Sequence, residues 1–211
     1  MNEEKLILSE GYRNLSVVLT SSGNSITPIV VMCHGYSRDK NGTKYIMLSE
    51  KLAEKGMSSL RFDFSGHGES GGFLEDFTNE LGVDNLDDVV WYLQKRGYRN
   101  KQIGISGSST GAEIAALYVV KNPEIGALAL RSPTYGMETL RAVGCIKSPT
   151  LIINGEKDTL ITPLAAKRFF DSLNCEKDFK VIQGASHECQ EVNHIEELNR
   201  LNVEWFEKWL R

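Results

Sequence analysis

Residues 103–112 read Ile-Gly-Ile-Ser-Gly-Ser-Ser-Thr-Gly-Ala, and their reading decides the fold. An apolar run ends at Ile105, and a helix-like run follows from Ala112 to Val120. Between them lies Gly107-Ser108-Ser109-Thr110-Gly111, a G-x-S-x-G at a strand-to-helix junction. So sharp a turn forces its central residue into strained backbone angles. The residues two before and two after it must be nearly without side chains, a demand that Gly107 and Gly111 meet. Ser106, Ser108 and Ser109 crowd here, but only Ser109 has glycines at both flanking positions. Its hydroxyl would stand at the tip of the turn. The N–H of Thr110 opens the helix and can donate to an oxyanion. Taken alone, the stretch also reads as a Ser/Gly-rich turn before a helix, so its weight depends on partners elsewhere.

Working outward, the chain alternates. Continuous apolar runs fall at Ile29–Cys33, Ser58–Phe62, Gln102–Ser106, Ala127–Leu130, Thr150–Ile153 and Phe179–Ile182. Such runs suit strands buried on both faces of a parallel sheet. Helical patterns lie between them, near Thr43–Lys55, Leu81–Arg96, Thr110–Lys121, Pro163–Leu173 and Ile195–Leu210. Pro163 suits a first helical position, with Thr162 as its cap. The last pattern places Ile195, Leu198, Leu201, Trp205, Phe206 and Trp209 at helical spacing, as in a helix that covers a sheet. Ahead of these, alternating residues at Lys5–Ser9 and Leu15–Thr20, with Gly11 between, predict an antiparallel hairpin. The fold class expected is α/β: a mostly parallel, doubly wound sheet with an N-terminal hairpin and helices on both faces. Its ligand crevice belongs at the carboxyl ends of the strands. One domain over residues 1–211 is the simplest reading of a 211-residue chain.

With 41% hydrophobic and 25% charged residues, the composition is that of an ordinary globular protein rather than a disordered or membrane-embedded one. The net charge of -4 and the lack of a basic stripe argue against a nucleic-acid partner. Cys33, Cys145, Cys175 and Cys189 form no C-x-x-C pair and read as reduced thiols of a cytoplasmic protein. The start, Met1-Asn-Glu-Glu-Lys5, is acidic and lacks the apolar core of a signal peptide. No window approaches the ~20 apolar residues of a membrane span.

The chemistry-bearing residues all fall just past strand ends. His34-Gly35-Tyr36-Ser37 follows Cys33, Ser109 follows Ser106, Asn154–Asp158 follows Ile153, and Gln183–Glu188 follows Ile182. The order Ser109, Asp158, His187 is the one this turn motif predicts for nucleophile, acid and base. A serine hydroxyl attacks at neutral pH only when a base takes its proton. His187 can be that base, because histidine is the side chain suited to taking up and giving back a proton near working pH. Asp158 would hold the imidazole in one tautomer and stabilise its charged form. Glu156 is a rival acid, but Asp158 sits further past the strand. His34 and His67 precede Ser109 in Gly-rich turns and read as structural. His194 opens the last helix and reads as a solvent or capping residue.

Together these stretches resemble the α/β-hydrolases, and among them the serine esterases that include bacterial feruloyl (cinnamoyl) esterases and monoglyceride-lipase-like enzymes. The resemblance rests on His34–Ser37, the run Arg61-Phe-Asp-Phe-Ser-Gly-His-Gly-Glu-Ser70, Ile103–Gly111, Ile153–Asp158 and Gly184-Ala-Ser-His187. It implies a second oxyanion N–H from Tyr36 beside that of Thr110, and a structural role for the turn around His67. Two departures stand out. Ser108 occupies the position before the nucleophile, where the family usually has His. The family's cap insertion has no room here, because Arg131–Ser148 holds at most one short helix, near Met137–Val143. The site is therefore expected to be open, with Tyr36, Tyr135, Met137 and Leu140 as possible pocket walls.

The function expected is hydrolysis of a small-molecule carboxylic ester through an acyl-enzyme, with no cofactor and no metal. A thioesterase or acyltransferase using the same three residues is the related alternative. A slow or non-catalytic ligand receptor on the same fold is the alternative of another class. The oligomeric state is left open by the sequence.

Overall fold

The computed structural model describes residues 2–9, 14–23 and 26–210. The strands are β1 (Asn2–Leu8), β2 (Leu15–Ser21), β3 (Ile29–Cys33), β4 (Ser58–Phe62), β5 (Ile103–Ser108), β6 (Ala127–Arg131), β7 (Thr150–Gly155) and β8 (Lys177–Ile182). The helices are α1 (Thr43–Glu54), α2 (Asn79–Lys95), α3 (Thr110–Lys121), α4 (Met137–Ala142), α5 (Pro163–Ser172) and α6 (Val192–Trp209). The sheet runs β1-β2-β4-β3-β5-β6-β7-β8. β1 and β2 form the expected antiparallel hairpin, and β2 joins β4 antiparallel. All other pairs are parallel. The residue expected at the hairpin turn, Gly11, lies outside the described residues.

The apolar strands are buried because both faces are covered. Val31, Ile105, Leu130 and Ile152 face a layer built from α2, α3 and α5. Their neighbours Val30, Met32, Ala129 and Ile153 face α1 and α6. From β3 the chain crosses to β4 on one side, then returns past β3 to β5 on the other. Strand order therefore reverses between β3 and β5, and the crevice at their carboxyl ends is where such sheets bind ligands.

Several boundaries differ from those expected. β5, β6 and β7 run on through Ser108, Arg131 and Gly155, because a ladder needs backbone groups and not apolar side chains. β8 begins at Lys177, and its partly exposed residues at the sheet edge carry little apolar signal. α2 starts at Asn79 because the Thr78 hydroxyl accepts from the Leu81 N–H at 3.1 Å. Between β6 and β7 stand only α4 and a 3-10 turn at Val143–Cys145, so no cap covers the strand ends. Among the described residues, no helix is long and apolar enough to cross a membrane.

α6 is seated on β5 through a glycine. A Cβ at Gly104 would lie 2.7 Å from Phe206 Cδ1 and 2.8 Å from Leu210 Cδ1. Phe206 is fully buried. Phe206→Ala should lower stability by about 3–5 kcal/mol, seen as a fall in the urea midpoint with little change in slope. A loss well under about 1 kcal/mol would mean that α6 does not rest on that ring.

Candidate active site

Ser109 is the hinge between β5 and α3, with φ 55° and ψ -121°. For a residue with a side chain that region is strained, at a cost of order 1–3 kcal/mol. The surroundings leave little choice. A Cβ at Gly107 would lie 2.6 Å from Ala112 Cα, and one at Gly111 would lie 2.5 Å from the Cys33 carbonyl oxygen. The Ser109 N–H donates to the Arg131 carbonyl at 2.9 Å, and its own carbonyl accepts from the Ala112 N–H at 2.9 Å.

The loops after β7 and β8 bring the other two residues to it. His187 Nε2 lies 3.2 Å from Ser109 Oγ, and His187 Nδ1 lies 2.8 Å from Asp158 Oδ2. Asp158 is buried, and its other oxygen accepts from the N–H groups of Leu160 at 3.0 Å and Ile161 at 2.8 Å. The carboxylate is thus fixed in orientation, with one oxygen left for the imidazole. The rival acid is spent elsewhere: Glu156 Oε2 accepts from the Gly184 N–H at 2.9 Å.

The loop after β3 runs beside the serine. A Cβ on Gly35 would lie 3.4 Å from Ser109 Cβ, so the chain carrying Tyr36 passes close to Ser109. Thr110 is the first residue of α3, where N–H groups have no intrahelical acceptor. His34 braces this loop. Its Nε2 accepts from the Phe64 N–H at 3.1 Å, so the proton sits on Nδ1, which donates to the Gly35 carbonyl at 2.8 Å. His67 packs edge-on against Phe77 and Tyr36, with ring centroids 4.7 and 5.9 Å apart. Neither imidazole is hydrogen-bonded to Ser109. His194 bonds Glu191, the residue capping α6, at 3.0 Å. Behind the loop, buried Asp63 accepts from the Lys40 ammonium at 2.6 Å and the Lys40 N–H at 2.7 Å.

Comparison with known proteins bears on the family and the fold. A family model described as serine aminopeptidase, S33, matches residues 24–143. A second, described as PET hydrolase-like, matches residues 95–211. Each covers more than half of the chain. The chain belongs to the α/β-hydrolase family. Among solved structures it resembles dienelactone hydrolase from Anabaena variabilis, with a TM-score of 0.86 and 24% identity, over 100% of this chain and 99% of that one. It also resembles Est1E from Butyrivibrio proteoclasticus, solved with ferulic acid, with a TM-score of 0.82 and 21% identity over 96% of this chain and 99% of that one. At such identities these likenesses speak to the fold. The chain is 28% identical over 183 residues to a Mycobacterium tuberculosis protein named for a phosphoribosyl transferase. That match covers 84% of this chain but 40% of the relative, so the chain spans about two fifths of the length of the curated relative it matches.

In this α/β-hydrolase the pocket walls differ from those expected. A cavity of about 230 Å³ opens over Ser109, with Tyr36, Arg38, Lys44, Arg131, Leu160 and His187 in its wall. Tyr135 and Met137 instead line a separate groove of about 830 Å³ beside α2 and α3. Leu140 packs onto the core. The cause is Glu113 on α3. Its carboxylate accepts from Thr134 Oγ1 at 2.9 Å, Thr139 Oγ1 at 2.5 Å and the Gly136 N–H at 3.2 Å. These bonds draw the segment over α3 and away from the strand ends. The Tyr135 hydroxyl donates to the Ala165 carbonyl at 2.8 Å, which turns the ring toward α5.

Sequence reasoning passed over Arg131 and Lys44. Sheet register sets Arg131 opposite Ser108. Its Nε donates to Ser108 Oγ at 3.0 Å, and its Nη1 donates to the His187 carbonyl, tying the Ser109 turn to the loop that carries His187. The available signal was an arginine closing the otherwise apolar strand Ala127–Leu130. Lys44 in α1 has no such signal.

Burial holds the His34 imidazole down to about 4. The unfolded chain takes up this proton below about pH 6.5, whereas the folded protein refuses it until well below that. His34 therefore supports the fold fully above about pH 6.5, and that support is lost as the pH falls toward about 4. Thermal midpoints should drop between about pH 7 and about pH 5, and the drop should be shallower in His34→Gln. Equal drops in the two proteins would contradict this account of His34.

Proposed function

We propose that this α/β-hydrolase cleaves a small carboxylic ester through an acyl-enzyme on Ser109. The observation that carries the reading is one imidazole held between the two other groups, 3.2 Å from Ser109 Oγ and 2.8 Å from Asp158 Oδ2. Family membership and fold support hydrolase chemistry in general; the ester, the roles of the three residues and the intermediate are the proposal.

Ser109 Oγ attacks the acyl carbonyl as His187 Nε2 takes its proton. The charge that develops on imidazole is stabilised by Asp158, whose two backbone donors hold it in orientation. The tetrahedral oxyanion is received by the N–H groups of Tyr36 and Thr110, each worth about 3 kcal/mol in such sites. His187 then passes its proton to the leaving alcohol. In the second half, His187 activates a water that attacks the acyl carbon, and Ser109 leaves with the proton restored. The short α4 leaves the mouth uncovered, which suits small or exposed esters. A cavity of about 230 Å³ is too small for a long acyl chain to be enclosed.

Intact-mass analysis after fluorophosphonate treatment tests the assignment. Wild-type protein should gain a single phosphonyl group. Ser109→Ala should gain none, and its turnover of p-nitrophenyl acetate should fall by at least about ten-thousand-fold. Folded wild type that takes up no label, or label that persists in Ser109→Ala, would sink the proposal. The first result would favour a ligand receptor on this fold.

A further inference from the structure

The chain carries a net charge of -4, yet its nucleophile faces positive charge. The charged side chains in the wall of the Ser109 cavity, besides His187, are Arg38, Lys44 and Arg131 against Glu188 alone. Arg38 and Glu188 neutralise each other at 2.5 Å. Among the described residues, no carboxylate forms an ion pair with Lys44 or Arg131. Their acceptors are neutral: Ser108 Oγ and the His187 carbonyl for Arg131, and the Glu188 carbonyl at 3.4 Å for Lys44. Asp158, the nearby acid of the site, is already committed to His187 and two N–H groups.

Arg131 is 6% exposed. A cation so far out of water is costly to keep without a counter-charge. Lys44 feels the same deficit, since burial and the Arg131 charge together push its ammonium down to about 7. An anion entering the cavity would relieve both. There is room for one. A second cavity of about 350 Å³ adjoins the first across the Arg38–Glu188 pair, and Lys44 belongs to both walls. The second cavity also meets Gly42 and Thr43 at the start of α1, and its wall includes Asp39, whose Oδ1 accepts from the Asn41 N–H at 2.7 Å. Arg131 already gives Nε and Nη2 to Ser108 Oγ and Nη1 to the His187 carbonyl, so it offers its charge and its remaining N–H groups, which together with an ammonium suit a carboxylate or phosphate.

Building on the hydrolase reading, we infer that the substrate carries an anionic oxyacid group besides its ester, and that Lys44 and Arg131 receive it beside Ser109. The acyl part and the alcohol part of the substrate are both within reach of this description, and the experiment separates them.

The kinetic comparison uses two matched pairs. Mono-p-nitrophenyl adipate against p-nitrophenyl hexanoate places the charge on the acyl side. 3-Acetoxybenzoate against phenyl acetate places it on the alcohol side. In at least one pair kcat/KM should favour the anionic ester by about tenfold or more, mainly through KM, the scale of one charge-assisted hydrogen bond. Lys44→Met should cut that preference by about tenfold, and Lys44→Arg should recover most of it. In parallel, calorimetric titration of Ser109→Ala, which does not turn over, compares adipate, inorganic phosphate and neutral adipamide. Adipate or phosphate should bind, and which of them binds identifies the group. Adipamide should not. Turnover of neutral esters with no preference for the charged partner, and no anion binding to Ser109→Ala, would overturn the anion site alone. Anion binding that Lys44→Met weakens, with no turnover of any ester, would sink the hydrolase reading and leave the anion site standing.

Discussion

The left-handed backbone at Ser109 is the constraint on which the rest of the site depends. A non-glycine residue holds φ 55° only when its surroundings forbid anything else. Here α3 removes room for a side chain at Gly107, the end of β3 removes it at Gly111, and the Arg131 carbonyl takes the Ser109 N–H. The strain is offset by the burial of α3, whose Ala112, Ile114, Ala115 and Val119 are fully covered. Packing thus stabilises a turn that local preference would reject, and the turn in exchange lifts one hydroxyl out of the sheet.

The sheet register then decides what that hydroxyl meets. Pairing of Cys33 with Gly107 brings the Gly35–Tyr36 loop alongside it. Pairing of Ser108 with Arg131 puts a buried guanidinium under it. Pairing of Gly155 with Ile182 aligns the loops that carry Asp158 and His187. The Lys157 N–H bonds the Ala185 carbonyl at 2.9 Å and locks those two loops together. Three separate loops therefore share one geometry without a cap to hold them. The cost is that the site holds unpaired positive charge, which an anionic ligand would relieve.

Much of this was legible in the sequence because its signals are local. The buried parallel strands announce themselves as apolar runs, and α3 was readable residue for residue from its glycine-flanked start. Ser109, Asp158 and His187 could be named because each follows a strand end in a fixed order, and the structure brings them within hydrogen-bonding distance. What could not be read was tertiary in origin. The tails of β5, β6 and β7 are held by ladder bonds that leave no apolar trace. The path of residues 131–148 is set by Glu113, an acid within a helix that gives no hint of three distant donors. The placement of Tyr135, Met137 and Leu140 away from Ser109 follows from that one carboxylate. Arg131 and Lys44 belong to no motif, and their meaning appears only when the charges around the cavity are counted together.

The central claim is that the strained turn at Ser109 exists to present a nucleophile to His187 and an oxyanion to two backbone donors. A crystal structure of the protein after reaction with a small alkyl fluorophosphonate tests it most directly. The account predicts phosphorus bonded to Ser109 Oγ, the phosphoryl oxygen within hydrogen-bond reach of the Tyr36 and Thr110 N–H groups, and a positive φ retained at Ser109. Phosphorus on another side chain, or a phosphoryl oxygen turned to solvent beside a relaxed Ser109 backbone, would contradict it.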